Sequence, residues 1–227
     1  MTTETSSTAT TDAGTGTDTG TPTDRSFLFV LGSSRPDGNT ELLARAAAAQ
    51  LPAGFAQNWV DLNRLALPDF QDGRHDAENW SSGETEDMLR EATLAATDVV
   101  IASPLYWYTV SAQVKRYLDY WSGWLTAPGS DFKARMTGRR LWAVSVMAHS
   151  EPEVADGMVA TLRNSAAYMG MGFGGLLLGS ASRPGQIRQD EEALLRAKTF
   201  FQGAAPLARF PYESPYESPH EKEEAAA

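Results

Sequence analysis

The chain has 227 residues, 42% hydrophobic and 10% aromatic, enough apolar surface for one large domain or two small ones. Its formal charge is −10, but residues 1–24 hold four acids and no base, residues 211–227 hold five glutamates and one lysine, and residues 25–210 hold 20 acids against 18 bases. A nearly neutral body leaves no broad basic face for nucleic acid. No apolar run approaches the ~20 residues of a membrane span, and the absence of Cys excludes disulfides and thiolate metal sites.

The first 24 residues contain eleven threonines among Gly, Asp and Ser. Such a segment buries too little apolar surface to offset ordering, and disorder is expected. It has neither the basic start nor the apolar stretch of a secretory signal, and with no Cys in the chain a cytoplasmic location is expected. Residues 211–227, "PYESPYESPHEKEEAAA", read as a second flexible tail. One domain is expected between them, over 25–210.

Within that body, strand and helix patterns alternate. "SFLFVL" (26–31) reads as a strand and "TELLARAAAAQ" (40–50) as a helix. "QNWVDL" (57–62) is a second strand, followed by a long polar connection. "SSGE" (81–84) offers a capping box, Ser81 with Glu84, before a helix whose spacing puts Met88, Ala92, Ala95 and Ala96 on one face. "DVVIASP" (98–104) is a buried strand stopped by Pro104, and the next helix carries Val110, Val114, Tyr117, Leu118 and Trp121 at helical spacing. "RLWAVSVM" (140–147) is a fourth strand. "SEPE" (150–153) repeats the capping-box pattern ahead of a helix marked by Val154, Met158 and Leu162. "FGGLLLG" (173–179) and "DEEALLRAKTFF" (190–201) complete the alternation.

Continuous apolar strands alternating with helices predict an α/β fold with a parallel sheet covered on both faces. The doubly wound strand order 2-1-3-4-5 is expected, with a ligand at the carboxyl ends of the strands where the order reverses. Chemistry should therefore follow Leu31, Ser103 and Met147.

The first of these loops is "GSSRPDGNT" (32–40). A helix N-terminus presents unpaired N–H groups and a partial positive charge. Ser33, Asn39 and Thr40 add short polar groups, Arg35 adds a guanidinium, and Gly32 and Gly38 admit close backbone approach. The simpler alternative is that Asn39 or Thr40 merely caps the helix and Arg35 is a solvated charge. Position after the first strand favours phosphate binding.

"GSSRPDGNTELL" resembles the phosphate loop of the NADPH-dependent FMN reductases, a flavodoxin-like family, and "SPLYWYTVSAQVKRYLDYW" (103–121) resembles their second loop. The resemblance covers about 26–202. It implies that Ser33, Arg35, Asn39 and Thr40 hold the FMN phosphate and that Pro104, Leu105, Tyr106 and Trp107 lie beside the flavin ring. A covering aromatic cluster is the plainer reading of Tyr106, Trp107 and Tyr108. Lys115 and Asp119, four residues apart, read as a helix-surface pair or a subunit contact. The third loop, "MAHSEPE" (147–153), departs from the Gly-rich run of many relatives and offers His149 as a contact for flavin or substrate. "ASRPGQ" (181–186) is expected to help close the site.

The resemblance further implies an FMN-dependent NAD(P)H oxidoreductase, with NADPH or NADH passing hydride through flavin N5 to a quinone-like or other conjugated small molecule. A flavodoxin-type electron carrier docking to protein partners is the alternative, and a flavin-binding interaction protein without turnover is a third. No triad or metal cluster is evident, so no catalytic side chain is named. A homodimer or higher homo-oligomer is expected through "YLDYWSGWL", whose aromatics exceed one buried stripe.

Overall fold

A computed structural model describes residues 25–73, 82–129 and 131–212. The two expected tails, residues 211 and 212 aside, and Ser81 lie outside these residues. Five parallel strands run in the order β2-β1-β3-β4-β5: β1 Ser26–Leu31, β2 Ala56–Asp61, β3 Asp98–Ala102, β4 Arg140–Met147 and β5 Gly172–Ser180. The helices are α1 Asn39–Ala48, α2 Glu84–Ala95, α3 Ala112–Trp124, α4 Phe132–Met136, α5 Asp156–Tyr168 and α6 Glu191–Ala197. The flavodoxin-like class, the strand order and the alternation agree with the reading of the sequence.

The central strands are apolar on both faces because both faces are covered. Leu28, Val30, Val99, Ile101, Leu141 and Ala143 pack with α2, α3 and α5. Phe27, Phe29, Val100, Trp142 and Val144 face α1 and α6. Each fully buried Leu, Val or Phe contributes about 1.5–3 kcal/mol. β2 is an edge strand, exposed over its first half, with Trp59 stacked on Phe29 at 4.0 Å between ring centroids.

Asp98 closes the amino-terminal edge of the sheet. Its carboxylate is fully buried and accepts from Arg25 Nε at 3.0 Å, Thr97 Oγ1 at 2.7 Å and Trp142 Nε1 at 2.8 Å.

Three expectations are corrected. The Ser81 capping box lies outside the described residues, and α2 has Gly83 as its N-cap; the second box is not made, because Ser150 Oγ bonds Glu151 ahead of a 3-10 turn over Pro152–Ala155. The buried face of α2 is Glu86, Leu89, Thr93 and Leu94, while Met88 is 42% exposed and Ala95 is exposed. The five-residue α4 lies in a stretch to which the sequence reading assigned no element. Tyr117, Tyr120, Trp121 and Trp124 are all buried within this chain, so α3 offers no aromatic interface. Phe132 packs against both Trp121 and Trp124, and Phe70 against Tyr120.

Candidate functional site

Because all five strands are parallel, the loops after β1, β3, β4 and β5 gather along one edge. Backbone ladders extend past the strand ends: Gly32 N–H donates to the Ala102 carbonyl at 2.9 Å and Ser103 N–H to that of Val144 at 3.0 Å. Gly32 is needed there, since a Cβ would lie 2.3 Å from Val114 Cγ2 and 2.7 Å from Ser111 Oγ.

In the loop after β1, Ser33 Oγ accepts the Arg35 N–H at 3.2 Å and donates to the Arg35 carbonyl at 3.1 Å. The Ser33 hydroxyl therefore shapes the loop. Gly38 closes it, because a Cβ there would fall 2.9 Å from Ser33 Oγ. Gly38 is also the N-cap of α1 and supplies no side-chain bond to the first-turn N–H groups. They stay available to an anion. Thr40 is 3% exposed in that first turn. Arg35 is exposed, and its guanidinium makes no hydrogen bond or ion pair among the described residues.

Asn39 is used differently from expectation. Its Nδ2 donates to the Arg183 carbonyl at 2.9 Å and its Oδ1 accepts the Ile187 N–H at 3.5 Å. The side chain ties the first loop to the last. Asn63 also braces the first loop, donating from Nδ2 to the Ser33 carbonyl.

After β3, buried Ser103 accepts the Ser111 N–H at 2.8 Å on its Oγ, and Ser111 in turn caps α3 by accepting from Val114. Between them the chain makes a small hairpin. Tyr106 and Thr109 exchange N–H···O bonds of 3.1 and 3.2 Å. Trp107 and Tyr108 occupy the turn with φ of 48° and 66°. Two aromatic residues in the left-handed region are strained by about 1–3 kcal/mol each. Pro104 is buried and Leu105 half-buried, whereas Trp107 is 91% exposed. The hairpin rests on α5, where Thr109 Oγ1 lies 3.4 Å from Thr161 Oγ1.

His149 is exposed, with Nδ1 4.0 Å from Glu151 Oε2. It lines a cleft of about 490 Å³ with Met147, Ser180, Gln186 and Asp190. Lys115 and Asp119 form the expected surface ion pair. Asn63 carries no sequence signal that distinguishes it from an ordinary loop residue, while Ser103 and Ser111 belong to the second-loop motif without their hydrogen bonds being readable from it.

The loop is an uncapped helix start with a free guanidinium, on the first strand of a doubly wound sheet. The family model "NADPH-dependent FMN reductase" matches residues 26–175. The chain belongs to that family. It is an NAD(P)H-dependent FMN oxidoreductase, with FMN and NAD(P)H as cofactors. That decides against a carrier that never meets a nicotinamide.

The relative YwqN of Bacillus subtilis (strain 168), named as an NAD(P)H-dependent FMN-containing oxidoreductase, is 29% identical over 168 residues, covering 73% of this chain and 91% of its own. The Trp repressor binding protein of Bacillus subtilis is 25% identical, with a TM-score of 0.62 over 78% of this chain and 98% of its own. An NAD(P)H:quinone oxidoreductase of Methanothermobacter marburgensis shares the fold at 18% identity, with a TM-score of 0.59 over 76% of this chain and 91% of its own. The donor set fits FMN: the cradle that Gly38 keeps open and the unspent first-turn N–H groups suit a phosphate. Among the described residues no helix is long and apolar enough to cross a membrane.

Proposed function

We propose that the protein passes two electrons from a nicotinamide, by way of FMN, to a quinone-like or other conjugated small molecule. The observation that carries this reading is the exposed, strained Trp107–Tyr108 turn beside an anion-ready loop. A broad aromatic surface held rigidly in water suits a second planar ring. The name of the Methanothermobacter relative agrees with a quinone-like acceptor.

In this reading Arg35, Thr40 and the first-turn N–H groups of α1 hold the phosphate, while Ser33 and Asn39 fix the loop's shape. Pro104, Leu105, Tyr106 and Trp107 border the ring, and His149 stands toward the acceptor. When bound, FMN supplies hydride acceptance at N5 and release to the acceptor. The protein's part is to bind, orient and leave one ring face open, so no catalytic side chain is assigned. Cytoplasmic location agrees with the absence of Cys. A homo-oligomer is retained as the proposed assembly, without the buried α3 aromatics as its contact surface, and light scattering tests it.

Anaerobic mixing with NADPH, then NADH, tests the chemistry. Bleaching of the flavin band and its return on adding a quinone are expected. A flavin left oxidised by both nucleotides would overturn the reading.

A further inference from the structure

β5 leaves the sheet at Ser180, and the chain turns tightly before a 3-10 stretch over Gln186–Gln189. Gln186 Oε1 accepts the N–H groups of Ser182 and Arg183, both at 3.0 Å, and Gly185 takes a φ of 73° that closes the turn. Ile187, 1% exposed, anchors the turn in the core, and a Cβ on Gly179 would fall 2.4 Å from its Cδ1. The Arg183 carbonyl accepts from Gln186 N at 3.1 Å and from Asn39 Nδ2 at 2.9 Å. Asn39 is the first residue of α1. The backbone of Arg183 is therefore fixed at the mouth of the phosphate loop, and its exposed guanidinium makes no hydrogen bond or ion pair among the described residues.

The local charges leave a role for it. Glu41 Oε1 is held by Arg45 at 2.7 and 2.9 Å, and its Oε2 by the Asp37 N–H at 3.1 Å. Asp37 is exposed in the same loop and offsets Arg35. One guanidinium thus leaves the rim close to neutral, whereas a phosphomonoester at neutral pH carries nearly two negative charges. A second guanidinium restores attraction, with the fork geometry suited to phosphate oxygens.

We propose that Arg183 is a second cationic clamp on the FMN phosphate, reaching it from the far end of the chain through the Asn39 tie. This rests on the reading that the loop after β1 holds that phosphate.

The test is a fluorescence titration of FMN, and separately of riboflavin, into the flavin-free protein at low and high salt. Wild type is expected to prefer FMN. Arg183→Ala is expected to weaken FMN about tenfold or more, leave riboflavin unchanged and flatten the salt dependence. Arg183→Lys should recover part of the loss. Arg188→Ala, an equally exposed cation on the same turn, should stay within about twofold of wild type. An unchanged FMN-to-riboflavin preference in Arg183→Ala overturns the proposal. So does an equal loss in Arg188→Ala, which marks a diffuse field. So does an effect confined to the KM for NADPH over NADH, which assigns the guanidinium to the dinucleotide. If wild type itself fails to prefer FMN over riboflavin, it is the phosphate-loop reading that fails.

Discussion

Gly157, near the start of α5, lies against the Tyr108 carbonyl so closely that a Cβ at 157 would stand 2.6 Å from that oxygen. The aromatic turn is thus seated on a helix by backbone contact, which rotamer changes cannot relieve. Gly157→Ala must displace the hairpin or the start of α5. Overpacking of this kind costs about 1–3 kcal/mol. We expect turnover to fall more than FMN affinity, because the phosphate is assigned to the loop after β1 and not to the displaced turn. Denaturant melts beside FMN titration and steady-state kinetics check it.

Trp107 combines a φ of 48° with 91% exposure. Trp107→Gly removes almost no packing and relieves the backbone, so the fold should gain up to about 1 kcal/mol. Turnover should drop. A variant that is more stable and equally active would show that the ring serves no substrate.

Asp98→Ala leaves Arg25 and the Trp142 indole without their buried acceptor. Breaking a buried pair on one side costs about 3–5 kcal/mol. Asp98→Asn keeps an acceptor and should cost less. The carboxylate sits at the sheet edge opposite the site, so the folded fraction of either variant should bind FMN normally. Chemical denaturation and flavin titration measure both claims.

Burial is the main cause that raises the Glu86 carboxyl above its ordinary 4.5, with Asp87 adding to it, while the Trp124 indole N–H and Arg90 pull the other way. Above 4.5 and below the raised value, the folded protein keeps a proton that the unfolded chain has released. Stability therefore falls as pH rises through that window. Glu86→Gln keeps an Oε1 acceptor for Trp124, whose Nε1 lies 2.9 Å away. Urea midpoints measured from about pH 4 to pH 8 should show this part of the slope lost and no penalty at neutral pH.

Arg35→Ala should weaken FMN by about 1.5–3 kcal/mol and leave riboflavin untouched, the loss expected of a charge-assisted bond. Equal affinities for wild type and variant would return Arg35 to a solvated loop charge.

The sheet was legible because its strands are apolar on both faces: β1 and β4 fall where "SFLFVL" and "RLWAVSVM" end. The face of α2 was not. Its alanines and Met88 look like a stripe, yet a glutamate takes a buried position because Trp124 offers it a hydrogen bond. No hydropathy pattern shows such a pair. Tyr117 and Tyr120 look surplus to one stripe, but their hydroxyls reach Thr93 at 2.8 Å and the Pro68 carbonyl at 3.1 Å. Those partners are distant in sequence. In the loops the residue types were readable and their tasks were not. Asn39 looked like a phosphate ligand, and its partner Arg183 lies 144 positions away.

That distance carries a consequence for biogenesis. The cofactor cradle opens the domain in sequence, but its brace arrives with Arg183 and Ile187, after β5 has been made. A ribosome-bound chain that ends before Ile187 has the glycines and Arg35, yet lacks the strut holding the first turn of α1 in place. FMN is then expected to bind firmly only once the whole domain has been made, and a nascent chain truncated ahead of residue 187 is expected to hold it more weakly than the full domain.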